Sequence, residues 1–289
     1  MHNTRAILLM VGAMAAFALV DTFVKLAART LPAGQILMVT SALTAAMFVL
    51  WVWKEGERVF TREFVHPVML WRAGGEVLAA IGFITALSLA PLSTVTAVGQ
   101  AQPLVVTLGA AIFLKESVGW RRWLAVMLGM LGMLIIIRPG FGDFDPNLLW
   151  VLVYIVGLTM RDLVSRRLPA GISNARAVAM SMVPVPVAGF FIMTIWGGWH
   201  PIEGITYLWL FNVSAFMALA LWLITASLRA GEVSAVIPFR YSRILFALAL
   251  AYPIFGEVPD ALTCLGVVII VGSGMYAFWR ERIHARKAG

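Results

Sequence analysis

Charge is scarce in this chain. Asp, Glu, Lys and Arg supply 12% of its 289 residues, against roughly 25% in soluble domains, and this excludes an ordinary soluble globular fold. A single cysteine, Cys264, rules out a disulfide within the chain and any Cys-based metal cluster; its expected place is a buried small position. The four histidines, His2, His66, His200 and His284, fall at ends or loops, which argues against a His-rich metal site. Neither a G-x-x-x-x-G-K-[ST] run nor a G-x-S-x-G elbow occurs, so ATP-driven work and Ser-hydrolase chemistry lack their usual apparatus. Alternation of period two, with turn signals every ten residues or so, is missing as well, which excludes a β-barrel. No catalytic residue and no cofactor is expected.

Apolar residues fill what charge leaves vacant, at 61% of the chain with a mean hydropathy of +0.91. Thr30 to Trp53, Ala177 to Ile202, Gly204 to Leu228 and Ala261 to Trp279 hold no Asp, Glu, Lys or Arg. Each is close to the roughly 20 residues that cross about 30 Å of hydrocarbon as a helix. Val77 to Leu114 is also free of formal charge but too long for one crossing, and Pro91 divides it. The pattern predicts ten helices near 5–27, 33–53, 69–89, 93–114, 120–137, 147–165, 176–196, 206–229, 233–255 and 260–280. Asp21 and Lys25 stand where a small-residue cleavage site would be expected, so the first segment reads as a retained helix and not a removable signal.

The cations fix an expected orientation. With the N-terminus in the cytoplasm, seventeen Lys and Arg fall on the inner side against three (Lys25, Arg29 and Arg138) outside. Both termini are therefore expected to be cytoplasmic, in a bacterial inner membrane. The net charge of +8 and pI near 10.2 arise from bases dispersed over short loops, without the clustered basic face of a nucleic-acid binder.

A shift of 141 residues aligns residues 1–141 with 142–289 without a gap. Asp21 falls on Asp162, Lys25 on Arg166, Ser93 on Ser234 and Glu116 on Glu257. Each half has an acid-x-x-x-base pair ending its first helix, a very short third-to-fourth connection, and a Glu after its fourth helix. Five crossings is an odd number, so the second copy enters the bilayer upside down. The expected fold is an all-α membrane protein of two inverted five-helix repeats around a central cavity, an arrangement that permits alternating access.

The segments ALSLAPLSTVTAVGQAQPLVVTLGAAIFLKESVGWRRWLAVMLGMLGMLIIIRPG and TASLRAGEVSAVIPFRYSRILFALALAYPIFGEVPDALTCLGVVIIVGSGMY resemble the two EamA domains of the drug/metabolite transporter superfamily. The resemblance rests on Glu116 and Glu257, on small residues nine and sixteen positions later (Ala125 and Gly132; Gly266 and Ser273), and on Arg138-Pro139-Gly140. It implies that helices five and ten pack at the periphery through those small residues while the others enclose the solute. Within the superfamily the look is nearest to the aromatic and neutral amino-acid exporters.

Polar residues within the apolar runs are the candidate site. Arg240 and Arg243 sit three apart in the ninth segment, about 10 and 15 Å from its cytoplasmic start, and share a face. One of the two guanidiniums, Arg240 ahead of Arg243, receives a substrate carboxylate by paired hydrogen bonds, or the pair, held by carbonyls and Glu76, closes the cytoplasmic end. Glu76 can hold an ammonium group, carry a proton, or pair with one of these arginines. Asp21 with Lys25, and Asp162 with Arg166, have the favoured i, i+4 order and read as gating pairs. Gln100 and Gln102 precede Pro103 in the fourth helix and match Tyr241 and Arg243 under the repeat; a kink at Pro103, and another at Pro238, would open backbone carbonyls beside polar side chains. Trp222 and Tyr154 either flank an apolar solute side chain or pack in the core.

These residues point to a carrier exporting amino acids or related small metabolites, as a monomer or weak homodimer, with the lipid bilayer as its surroundings. A drug or nucleotide-sugar exporter of the same superfamily is the alternative, and a membrane-embedded enzyme a more remote one.

Overall fold

The structure is a computed structural model and describes residues 2–113, 115, 119–138, 145–165, 167–168, 171–230 and 237–288. Every regular element among the described residues is helical. In chain order they are α1 (His2–Ala27), α2 (Ala33–Lys54), α3 (Pro67–Leu89), α4 (Leu92–Gly99), α5 (Gln102–Phe113), α6 (Trp120–Ile137), α7 (Leu149–Ser165), α8 (Asn174–Met182), α9 (Val185–Ile195), α10 (Thr206–Ala230), α11 (Ser242–Phe255) and α12 (Ala261–Ala288). Seven stretches are long and apolar enough to cross a membrane, with shorter apolar helices at Trp123–Ile137 and Ala261–Tyr276. Glu116, Arg166, Ser234 and the Pro139-Gly140 pair lie outside the described residues.

Prolines account for the interruptions. Pro103 has no N–H to return to Gly99, and the chain tightens between α4 and α5, where the Ala101 N–H reaches Val98 O at 3.0 Å. The α4–α5 pair still forms one apolar stretch, Leu92–Phe113. Pro184 and Pro186 likewise mark the join of α8 and α9, so one expected helix is two shorter ones. The expected ninth helix opens as a 3-10 turn over Ile237–Tyr241, which contains Pro238 and Arg240, and becomes α-helical at Ser242. Arg240 and Arg243 thus belong to successive elements and not to one continuous α-helix.

The chain folds into two compact units, and each draws on both halves of the sequence. The first comprises residues 1–22, 90–148 and 219–289, the second residues 23–89 and 149–218.

In the second unit glycines set the helix pairs. A methyl group on Gly75 would lie 2.7 Å from Arg161 N, one on Gly82 2.4 Å from Tyr154 N, and one on Gly157 2.3 Å from Ala79 N. The α3 and α7 backbones therefore touch along three positions, the close contact that small residues permit in lipid. Gly34 against Met193 N (2.3 Å) and Gly189 against Met38 N (2.5 Å) join α2 to α9 in the same way.

The first unit repeats the device in α6 and α12. Methyl groups on Gly132 and Gly266 would each meet the other's carbonyl oxygen, at 2.9 and 2.7 Å. Of the four small positions expected in helices five and ten, Gly132 and Gly266 meet in this contact. Elsewhere in this unit Ala6, Met10, Ala13 and Met14 of α1 bury against Leu223 and Ile224 of α10 and Phe246 of α11.

Large apolar side chains cover the outside. Trp53, Trp71, Trp120 and Trp196 are exposed at or near helix ends, as an interfacial belt requires. Cys264 is exposed, not buried as its apolar character suggested. Where the surrounding medium is itself apolar, a thiol has no driving force toward the interior.

Candidate functional site

Two groups of charged side chains lie inside the apolar helices, one in each unit. In the first, Asp21 near the end of α1 is 0% exposed and accepts two hydrogen bonds from Arg243 in the first turn of α11. Arg243 Nε lies 3.0 Å from Oδ2 and Nη2 lies 2.6 Å from Oδ1, the fork geometry of a bidentate pair. The guanidinium also sits 5.2 Å from the ring centroid of Phe17, one turn earlier on α1. Desolvation of both ions is offset by this double bond and by the ring face.

Around this pair, Arg240 is half-buried on the 3-10 turn, and Gln100 and Gln102 are buried at the α4–α5 break. Helix α4 packs against α11, so the two polar discontinuities belong to neighbouring elements. Tyr241 is buried against Gly274, where a Cβ would occupy its hydroxyl position, and its Oη has no hydrogen-bond partner among the described atoms. Trp222, in the same unit, is 46% exposed.

In the second unit Glu76 of α3 meets Arg161 of α7 at 3.4 Å through both carboxylate oxygens. Arg161 also binds the neighbouring Asp162, with Nε at 2.9 Å and Nη2 at 2.8 Å from Oδ1. Arg72, one turn before Glu76, is buried and donates to Ser165 Oγ (2.9 Å), to the Ala177 carbonyl (2.7 Å) and to Ser181 Oγ. This network ties α3, α7 and α8 at one end. Tyr154 lies one turn and more before it on α7, its ring centroid 4.9 Å from that of Phe83.

The charge partners differ from those the sequence suggested. Glu76 is taken by Arg161 and Arg243 by Asp21, in place of a Glu76 pairing with Arg240 or Arg243. The cause lies in the glycine contacts: Gly75 seats α3 on the backbone of Arg161, and the next side chain, Glu76, is delivered to that guanidinium. Arg72 and Arg161 were counted only among the cations of the cytoplasmic side, within the expected helices 69–89 and 147–165. The Arg72–Glu76 spacing of four, and the adjacency of Arg161 to Asp162, were the available signs that both belong inside. Lys25 has contacts of its own.

At the opposite end of the first unit the fingerprint glutamate has a visible role. Glu257, after α11, accepts from Ser93 N at 3.0 Å and Ser93 Oγ at 3.1 Å, capping the N-terminus of α4. Beside it in sequence, Asp260 caps α12 through Thr263 N at 2.8 Å and pairs with Arg138. Hydrogen bonds from Thr263, and then from Arg138, hold the Asp260 carboxyl down to about 2. Among the described residues no cluster of three His, Cys, Asp or Glu has the grouping of a metal site.

A helical protein of apolar spans, with paired ions held inside those spans, has the build of a membrane transporter. Residues 4–138 are similar to the EamA-like transporter family. The chain is 25% identical over 247 residues to the S-adenosylmethionine uptake transporter of Rickettsia prowazekii, covering 84% of this chain and 80% of that one. It is 26% identical over 279 residues to the riboflavin transporter of Vibrio cholerae serotype O1 (93% and 91% covered). It is 25% identical over 273 residues to the pseudopaline exporter of Pseudomonas aeruginosa (92% and 93%). A solved crystal structure shares the fold, with a TM-score of 0.64 at 16% identity over 97% of this chain and 98% of its own. The names of these relatives point to small-metabolite transport, and not to the aromatic amino-acid branch that the sequence brought to mind.

Proposed function

We propose that this protein is a secondary carrier for amino acids or related carboxylate-bearing small metabolites, working by alternating access in a bacterial inner membrane. The observation that carries the reading is the bidentate Arg243–Asp21 pair in the first unit. A guanidinium already arranged to grip a carboxylate is the group such a solute needs, and Arg240 on the preceding turn supplies a second cation. S-adenosylmethionine, the solute in one relative's name, carries an α-amino-acid end of this kind.

Ten crossings as inverted repeats 1–141 and 142–289, with both termini cytoplasmic, complete the proposal. The α4–α5 break at Gln100 and Gln102, and the 3-10 turn that contains Pro238, support it as the discontinuities that carriers use near their solutes. Asp21, Arg243 and Pro103 act at the moving parts of the first unit; Asp162 and Lys25 have the same role in the second. Relatives named for uptake and for export share the family, so direction follows the driving gradient. Purified protein in liposomes is expected to move labelled S-adenosylmethionine or L-phenylalanine without changing it chemically. Flux of riboflavin, which has no carboxylate, with neither of the others moving would overturn the substrate class, and chemical conversion would overturn the carrier.

A further inference from the structure

Asp21 and Arg243 present a problem that any carboxylate solute must solve. The fork of Arg243 is already filled by Asp21, whose side chain is 0% exposed. A solute carboxylate that takes the Nε–H and Nη2–H donors for itself leaves a buried Asp21 carboxylate with its guanidinium bonds gone. An unpaired charge in such a place is strongly unfavourable, whereas a neutral carboxylic acid is tolerated far better.

Resting on the carboxylate reading above, we infer that Asp21 and Arg243 form a coupling site at which a proton and the solute carboxylate bind together. The solute oxygens accept the two Arg243 hydrogen bonds, and a proton from the medium binds one Asp21 carboxylate oxygen. The two Arg243–Asp21 hydrogen bonds are exchanged for two to the solute, and no covalent bond breaks. The Arg243 guanidinium faces one carboxylate before and after, that of Asp21 and then that of the solute, and the loaded state differs by the charge of the solute's own ammonium or sulfonium groups. The unloaded carrier returns with the ion pair closed, neutral and cheap to move through a low-dielectric interior.

The surroundings leave Asp21 as the group that titrates. Among the described residues of its unit, the charged side chain bonded to it is Arg243 of α11. Two turns and more before Asp21 on α1, at Ala6 to Met14, α10 and α11 bring Leu223, Ile224 and Phe246, all apolar. Arg240 lies three residues before Arg243 and Lys25 four after Asp21, and both are cations, which cannot supply the proton acceptor. Phe17 covers one face of the guanidinium and so keeps it in place while its partner changes. Because proton and solute occupy the same state, an inward proton gradient drives a carboxylate solute inward. Uptake, not the export expected from the resemblance, is then the working direction for that class.

The test uses the full-length protein in detergent, weakly buffered, mixed with S-adenosylmethionine, L-phenylalanine or riboflavin while a pH-indicator dye and calorimetry follow binding. About one proton is expected to leave the medium per carboxylate solute bound, and the apparent Kd rises about tenfold per pH unit above the titration midpoint of Asp21. In Asp21→Asn the carboxylate solutes bind with an affinity flat in pH and without proton uptake. Carboxylate binding with no proton uptake by the unaltered protein, or a pH slope that persists in Asp21→Asn, overturns the coupling while leaving the substrate class intact. Should Asp21→Asn fail to fold, the proton count on the unaltered protein decides alone. If neither carboxylate binds, the substrate class falls and the coupling falls with it.

Discussion

The carboxylate of Glu257 accepts both the backbone N–H and the hydroxyl of Ser93, so a residue following α11 caps the first turn of α4. These residues come from opposite halves of the chain, 164 positions apart. The short third-to-fourth connection, Ala90 to Ser93, thereby gains an anchor that its own sequence does not supply. Glu257→Ala removes a charged cap and is expected to lower stability by about 1–2 kcal/mol, with Glu257→Gln, which keeps an acceptor, losing less. Thermal unfolding in detergent measures both; equal losses would mean that the charge contributes nothing.

Gly157 and Gly272 make a matched comparison. A methyl group at Gly157 would stand 2.3 Å from Ala79 N on a packed backbone, while one at Gly272 meets nothing within 4 Å. Gly157→Ala is expected to cost about 1–3 kcal/mol by forcing α3 from α7, and Gly272→Ala to be tolerated. Yield of folded protein and its melting temperature should separate the two substitutions clearly.

Removing Arg161 should hurt more than removing Glu76. Arg161→Met takes a guanidinium from both Glu76 and Asp162, at an expected cost of about 3–5 kcal/mol, whereas Glu76→Gln leaves Arg161 still bonded to Asp162. The double variant should recover part of the Arg161→Met loss, because the stranded Glu76 is gone. Additive losses in a double-mutant cycle would show that the two side chains do not interact.

Asp260 carries a pH signal. Its folded-state value of about 2 lies below the ordinary 3.8, so its contribution is fully present above about pH 4 and is lost as pH falls through about 2. Its side chain is half exposed, and solvent screening keeps the contribution of the Arg138 pair below about 1 kcal/mol. The stability difference between the unaltered protein and Asp260→Asn should therefore be constant near neutrality and shrink between pH 4 and 2. A difference that grows on acidification would contradict the assignment.

Much of the helical framework was legible before any coordinates. Apolar runs placed α1, α2, α3, α6 and α10 within a few residues of their observed limits, because span length and the absence of charge are local properties. Proline positions announced the α4–α5 break, since a missing N–H acts on its own helix. The α8–α9 join, at Pro184 and Pro186 inside the expected helix 176–196, and the 3-10 start of the ninth segment were less legible: a kink was expected at Pro238, but not an element boundary.

Cys264 and Arg161 show where local reading ends. One apolar residue came out on the surface, and one cation counted only toward the cytoplasmic side came out paired between helices, because polarity alone does not say which side of a spanning helix meets lipid.

The chain by itself determined that it is helical, that it belongs in a membrane and where its helices bend, since each follows from residues close together along the backbone. Only the tertiary structure decided who partners whom among the buried charges. Asp21 met Arg243 across 222 positions and Glu76 met Arg161 across 85, pairings that helix periodicity cannot foresee because it orders one helix face and is silent on the neighbour packed against it.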